Sequence, residues 1–216
     1  MARESYDQQL QQLKYEMLEL GGIIESVIRD MVKALLNQDL ELAGKIAKND
    51  DAVNGQVKKI EQKCYALLLK QQQIASDLRT VSAAIKMITD MERIGDHGAD
   101  ISELIILMGG QPYPNEINII RKMADETKRM IIEAVNAFAQ EDKSLAEDVI
   151  KRDDIVDELF VSAKESIAKS IKENDINAMQ ELDLLMVAKY FERIGDHATN
   201  IAEWVLFSLT GIFPEG

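Results

Sequence analysis

Cysteine is almost absent from this chain: Cys64 stands alone among 216 residues. One thiol forms neither an internal disulfide nor a thiolate metal cage. Cys64 falls on an apolar helical row, where a packed core thiol is expected. Proline is nearly as scarce, with 3 residues, and aromatic side chains make up only 5%. What remains is rich in Leu, Ile, Ala, Glu, Lys and Gln, residues that lose little side-chain freedom in a helix, so the expected class is all-α. No stretch approaches the roughly 20 apolar residues of a membrane-spanning helix. The polar start, Met1 to Leu10, has no apolar secretory segment. A cytoplasmic protein without membrane insertion is expected. Positive charge is also short: 25 Lys plus Arg face 38 Asp plus Glu, a formal charge of -13. Such a molecule repels phosphodiester backbones at long range, which argues against direct DNA binding.

What is present is helix punctuation and a repeat. Breaks fall at Asn37-Gln38-Asp39, Gln73 to Ser76, Gly109 to Asn115, Gln140 to Asp142 and Asn174 to Asn177. They delimit six long helices with short connections, which suits antiparallel bundles. The only Pro-containing linker, Gly109-Gly110-Gln111-Pro112-Tyr113-Pro114, lies at the midpoint. Two units are therefore expected, 1–110 and 115–216 with 109–114 as linker, each a three-helix bundle. Glu92-Arg93-Ile94-Gly95-Asp96-His97 recurs unchanged as Glu192-Arg193-Ile194-Gly195-Asp196-His197. Upstream, Lys48-Asn49-Asp50-Asp51-Ala52-Val53-Asn54 aligns with Lys151-Arg152-Asp153-Asp154-Ile155-Val156-Asp157, the mark of a duplicated unit.

Carboxylates interrupt the apolar rows at matching places. On the second helix Ala43, Ile46, Asp50, Val53, Val57, Ile60, Cys64 and Leu67 keep 3-4 spacing; on the fifth, Ala146, Val149, Asp153, Val156, Phe160, Ala163 and Ile167 do the same. On the third, Val81, Ile85, Ile88, Glu92, Gly95, Asp96 and Ala99 share one broad face, matched on the sixth by Leu185, Ala188, Glu192, Gly195, Asp196 and Thr199. Acids facing a core need protonation, a basic partner or a cation. Pairs one turn apart offer oxygens to a shared ion of the Mg, Mn, Ca or Fe kind. An isolated i, i+4 acid pair is usually a solvated face, but the agreement of two helices in two repeats favours a cation cluster. Arg93 and Arg193 lie about 100° around the helix from the adjacent Glu and are expected at a rim. His97 and His197 follow the glutamates by five residues and do not make the Glu-x-x-His pattern of di-iron bundles. Asp100 and Asn200, one turn further on, are second-rank ligands. Met87, Met91, Met179 and Met186 are expected as core packing.

A duplicated three-helix unit with paired acidic motifs and two Glu-Arg-Ile-Gly-Asp-His segments resembles the PhoU family over nearly the whole chain. The resemblance implies two three-helix bundles, often dimeric, acting as a negative regulator of phosphate uptake and of the phosphate-starvation response. Its implied partners are the phosphate-specific ABC transporter, through the ATPase subunit, and a phosphate-sensing histidine kinase. Its implied cofactors are metal cations (Fe, Mn, Mg, Zn or Ca) on the acidic motifs, which here are Asp50, Glu92, Asp96, Asp153, Asp157, Glu192 and Asp196. The implied chemistry is binding rather than catalysis, and carboxylate-bridged metal storage or oxidation is the alternative. One departure stands out: the residue one turn after Asp50 is Asn54, a neutral donor where the pattern has aspartate. Weaker binding in the first repeat is therefore expected.

Overall fold

The computed structural model describes residues 2–48, 51–70, 74–110, 113, 117–173 and 178–214. Its helices are α1 (Ala2–Asn37), α2 (Leu40–Lys48), α3 (Asp51–Leu68), α4 (Ala75–Met108), α5 (Ile117–Gln140), α6 (Lys143–Glu173) and α7 (Ala178–Thr210). Helices α2 and α3 together occupy the stretch expected as the second of six helices. Asn49 and Asp50, between them, lie outside the described residues, as do Gln111, Pro112 and Pro114 of the linker. The architecture is the expected one: α1, α2–α3 and α4 form one three-helix bundle, and α5, α6 and α7 form the second.

The turns show how closely the two units match. Gln38 and Glu141 end α1 and α5 at φ 54° and 57°. The next residues, Asp39 and Asp142, send their N–H groups back to the carbonyls of Ala34 and Ala137, both at 3.0 Å. This left-handed closure satisfies carbonyls that a helix end leaves open. Each aspartate then caps the following helix, with Asp39 Oδ1 accepting from Leu42 N at 2.9 Å and Asp142 Oδ1 from Leu145 N at 3.1 Å. The chain reverses with the next helix already started.

The 3-4 rows read from the sequence are the rows that pack. Val53, Val57, Ile60, Cys64 and Leu67 are buried on α3, and Ala146, Val149, Val156, Ala163 and Ile167 on α6. Cys64 is fully buried, and desolvation pushes its thiol up to about 12, which keeps it an unreactive core group. Met87 and Met91 are core residues as expected. Met179 and Met186 are not: they are 74% and 45% exposed, because the early turns of α7 turn that face to solvent.

The bundles meet through equivalent helices, α4 against α7 and α1 against α5. Gly21 lets α5 approach closely; a Cβ there would stand 3.2 Å from Val135 Cγ1. Antiparallel register of α4 and α7 is fixed by Arg79 Nε donating to Ser208 O at 3.4 Å and by His197 Nδ1 lying 2.8 Å from Asp90 Oδ1. The acidic motifs on α4 and α7 thus stand on either side of one central helix pair, each facing the second helix of its own bundle.

Candidate metal centre

In the second repeat Asp153 and Asp157 come from α6 and Glu192 and Asp196 from α7. Glycine sets their separation. A Cβ on Gly195 would stand 3.3 Å from both Asp153 Oδ1 and Val156 Cγ1. The same device appears in the first repeat, where a Cβ on Gly95 would stand 3.2 Å from Val53 Cγ1. The small residues beside the acids are therefore what brings the two helices of each pair together.

Electrostatics shows that the four acids form one group. Burial, with the charges of Asp196 and Asp157 added, pushes the Asp153 carboxyl up to about 6. Burial also raises Asp157 and Asp196, and Glu192 raises both further. Thr199 faces Asp153 and favours its charged form. Yet Asp153 Oδ1 and Thr199 Oγ1 are both buried without closing a hydrogen bond of normal geometry. A buried carboxylate oxygen with nothing bound to it, beside three more carboxylates, is the donor set that a hard cation fits.

A cation of the protein already stands there. Lys189, one turn before Glu192, places Nζ 2.5 Å from both carboxylate oxygens of Glu192. The same ammonium lies 5.2 Å from the centre of the Phe160 ring and favours the charged forms of Asp157 and Asp196. No three His, Cys, Asp or Glu side chains among the described residues are gathered closely enough to hold one ion. For the acids of α6 and α7 to share one ion, their side chains would have to rotate.

The first repeat differs. Glu92 and Asp96 are half-buried on α4, and Arg93, exposed at the rim, pairs with Asp96 Oδ2 at 3.0 Å. Asn54 lies half-buried on α3, and Asp50 is outside the described residues. Asp100 and Asn200 are drawn instead into the seam between α4 and α7. Asp100 Oδ2 is 3.3 Å from His97 Nδ1, while Asn200 Nδ2 donates to Asp90 Oδ1 at 3.2 Å. His97 and His197 stack on each other across that seam with ring centres 5.5 Å apart, and His97 also meets Tyr190 at 5.3 Å. The histidines therefore join the repeats.

Two features escaped the sequence reading, and both are places where the repeats differ. Lys189 corresponds to Thr89. Arg152, which corresponds to Asn49, pairs with Glu126 Oε2 at 3.4 Å and Glu133 Oε2 at 3.2 Å, tying α6 to α5. A position-by-position comparison of the two halves would have raised both.

A duplicated three-helix bundle carrying carboxylate motifs on each third helix defines a class of helical carboxylate proteins. The PhoU domain pattern matches residues 17–105 and 120–205. The chain belongs to the PhoU family. It is 35% identical over 98% of its length to the phosphate-specific transport system accessory protein PhoU homolog of Clostridium acetobutylicum, 97% of which is covered. It is 32% identical over 98% of its length to the protein of the same description from Rhizobium meliloti, 90% of which is covered. The crystal structure of PhoU from Pseudomonas aeruginosa superposes with a TM-score of 0.90 at 30% identity, covering 96% of this chain and 100% of that one. The phosphate transport system regulatory protein PhoU from Streptococcus pneumoniae also gives 0.90, at 25% identity, covering 97% and 99%.

Proposed function

We propose that this chain is the accessory regulator of a phosphate-specific transport system: a metal-binding adaptor that restrains phosphate uptake and the phosphate-starvation response. Full-length similarity to proteins described as phosphate-specific transport system accessory proteins supports the role. No helix among the described residues is long and apolar enough to cross a membrane. In this reading the adaptor meets the transporter's ATPase subunit and the sensor histidine kinase from the cytoplasmic side, as a homodimer. It binds rather than catalyses.

The observation that carries the metal reading is the Asp153, Asp157, Glu192 and Asp196 cluster, with its orphaned Asp153 oxygen and the raised carboxyls of Asp153, Asp157 and Asp196. When bound, a divalent or trivalent cation would neutralise the cluster and tie α6 to α7. Gly195 keeps the space. The first repeat would offer Glu92 and Asp96 with Asp50 and Asn54.

Element analysis of desalted protein, purified without chelator or affinity metal, tests this. Wild type is expected to carry near-stoichiometric metal, Glu92→Ala/Glu192→Ala to lose it, and cells with the double variant to express phosphate-starvation genes at high phosphate. A folded wild type that takes up no metal from a Mn(II), Fe(II) or Mg(II) solution overturns the metal reading. Full repression by a metal-free variant overturns its role in signalling.

A further inference from the structure

We infer that Lys189 is a built-in competitor for the cation at the second repeat's carboxylate cluster, holding Glu192 in the metal-free protein and swinging out when the cluster loads. This rests on the metal reading above and concerns the regulation of that same site.

Three observations converge on it. Lys189 Nζ engages both oxygens of Glu192, so the side chain needed as a ligand is already neutralised by a charge of the same sign as the metal. Lys189 is also positioned by the Phe160 ring, whose face stabilises an ammonium, so its location is built by two helices rather than by one contact. Both features are particular to this repeat. At the equivalents of Lys189 and Phe160 the first repeat has Thr89, whose hydroxyl donates to its own helix at Ile85 O, 3.2 Å away, and Val57, a buried core residue. The ammonium and its aromatic platform occur together in one repeat and are absent together from the other.

The physical consequence follows from charge. Four carboxylates with one ammonium give the metal-free cluster a net -3; expelling the ammonium as the metal enters gives the cation all four charges. Every loading event must then break the Lys189–Glu192 pair, and affinity at carboxylate sites depends on ligand charge and on how rigidly the ligands are held. An exposed ion pair is weak, but Glu192 is 14% exposed and Lys189 36%, so screening by solvent is incomplete. The device sets a threshold: the second repeat loads only above a cation level that overcomes its own lysine. Because that lysine holds α7 to Phe160 of α6, loading also exchanges one tie between these helices for another.

The test compares Mn(II) binding by calorimetry in wild type, Lys189→Gln and Lys189→Arg. Alongside it, acetylation of Lys189 by an amine-reactive ester is followed by peptide mass spectrometry with and without Mn(II). Lys189→Gln is expected to bind about tenfold more tightly, Lys189→Arg to stay near wild type, and Lys189 of the wild type to acetylate several-fold faster with Mn(II). Unchanged or weaker binding by Lys189→Gln, or a labelling rate that Mn(II) does not move, overturns the inference while a wild type that still binds Mn(II) leaves the metal reading standing. Binding by Lys189→Gln alone means that the lysine never yields to Mn(II) in the native cluster, and overturns both the threshold and the metal reading. Binding by none of the three proteins overturns both.

Discussion

Thr89 and Lys189 occupy the same place in two copies of one unit, and they treat the neighbouring glutamate in opposite ways. Thr89 turns back to its own helix, whereas Lys189 clasps Glu192 and rests on Phe160. Asn49 and Arg152 show the same divergence in sequence, with Arg152 tied to Glu126 and Glu133. The turns of the two repeats, by contrast, agree closely, from the positive φ at Gln38 and Glu141 to the caps at Asp39 and Asp142. Backbone closure and core spacing admit few solutions, so both copies keep them. Charged groups at helix edges tolerate many arrangements and are where two copies become two different sites.

The strongest way to break this comparison is to remove the donors one repeat at a time. Asp153→Asn/Glu192→Gln is expected to weaken metal binding at the second repeat by at least about a hundredfold, since two of four charged donors are lost. Glu92→Gln/Asp96→Asn should remove a weaker site, because Asn54 already replaces one charge and Arg93 draws on Asp96. Element analysis of the two variants gives the ranking, and equal losses would erase the distinction between the repeats.

Next in size is a pH effect from Asp153. Its carboxyl is raised from 3.8 to about 6, so between those values the folded state holds a proton that the unfolded chain releases. Stability of the metal-free protein should therefore fall as pH rises from about 4 to about 6, by up to roughly 3 kcal/mol from this group, and stay low above. Thermal melts in chelator across that range check it. Asp153→Asn should remove this contribution, and saturating metal at pH 7 should recover the loss.

A smaller effect belongs to Arg152. Its guanidinium and both acids are 20–30% exposed, so solvent softens the cost of breaking the set. Arg152→Ala removes the cation shared by Glu126 and Glu133, though Arg129 still pairs with Glu133 Oε1 at 2.8 Å, and should lower stability by about 1 kcal/mol, a few degrees of melting temperature. A melt unchanged within a degree would mean that packing alone holds α5 to α6.

Much of this was readable from residue order. Periodicity located the core rows because burial on a helix must recur every three to four positions, and Asp153, Glu192 and Asp196 were visible as carboxylates breaking those rows. Their grouping could be anticipated because the repeat matched them twice. Lys189 and Arg152 were not legible, because a lysine or arginine at a helix edge reads as a solvated residue until its neighbour on another helix is known. The reading of Met179 and Met186 as core failed for a related reason: helical spacing identifies a face but not which face is covered. Asp100 and Asn200 were placed on the ligand face by angle alone; in the structure Asp100 pairs with His97 on its own helix, and the packing of α4 on α7 gives Asn200 Asp90 as a partner.

The finest distinction is between two glycines that do the same structural job. Alanine at either position gains about 0.5–1 kcal/mol of helix propensity and costs about 1–3 kcal/mol in overpacking, so both variants should be destabilised by roughly 1 kcal/mol. At Gly95 the nearest atoms to the added methyl are all of the Val53 side chain, and at Gly195 they are Val156 and also Asp153 Oδ1. Gly195→Ala should therefore turn a ligand oxygen as well as strain the core, lowering Mn(II) affinity of the second repeat several-fold, while Gly95→Ala with a similar melting shift leaves that affinity unchanged. If the two glycines affect Mn(II) binding at the second repeat alike, the influence passes through general loosening of the bundle; if only Gly195 does, it passes through the position of one carboxylate.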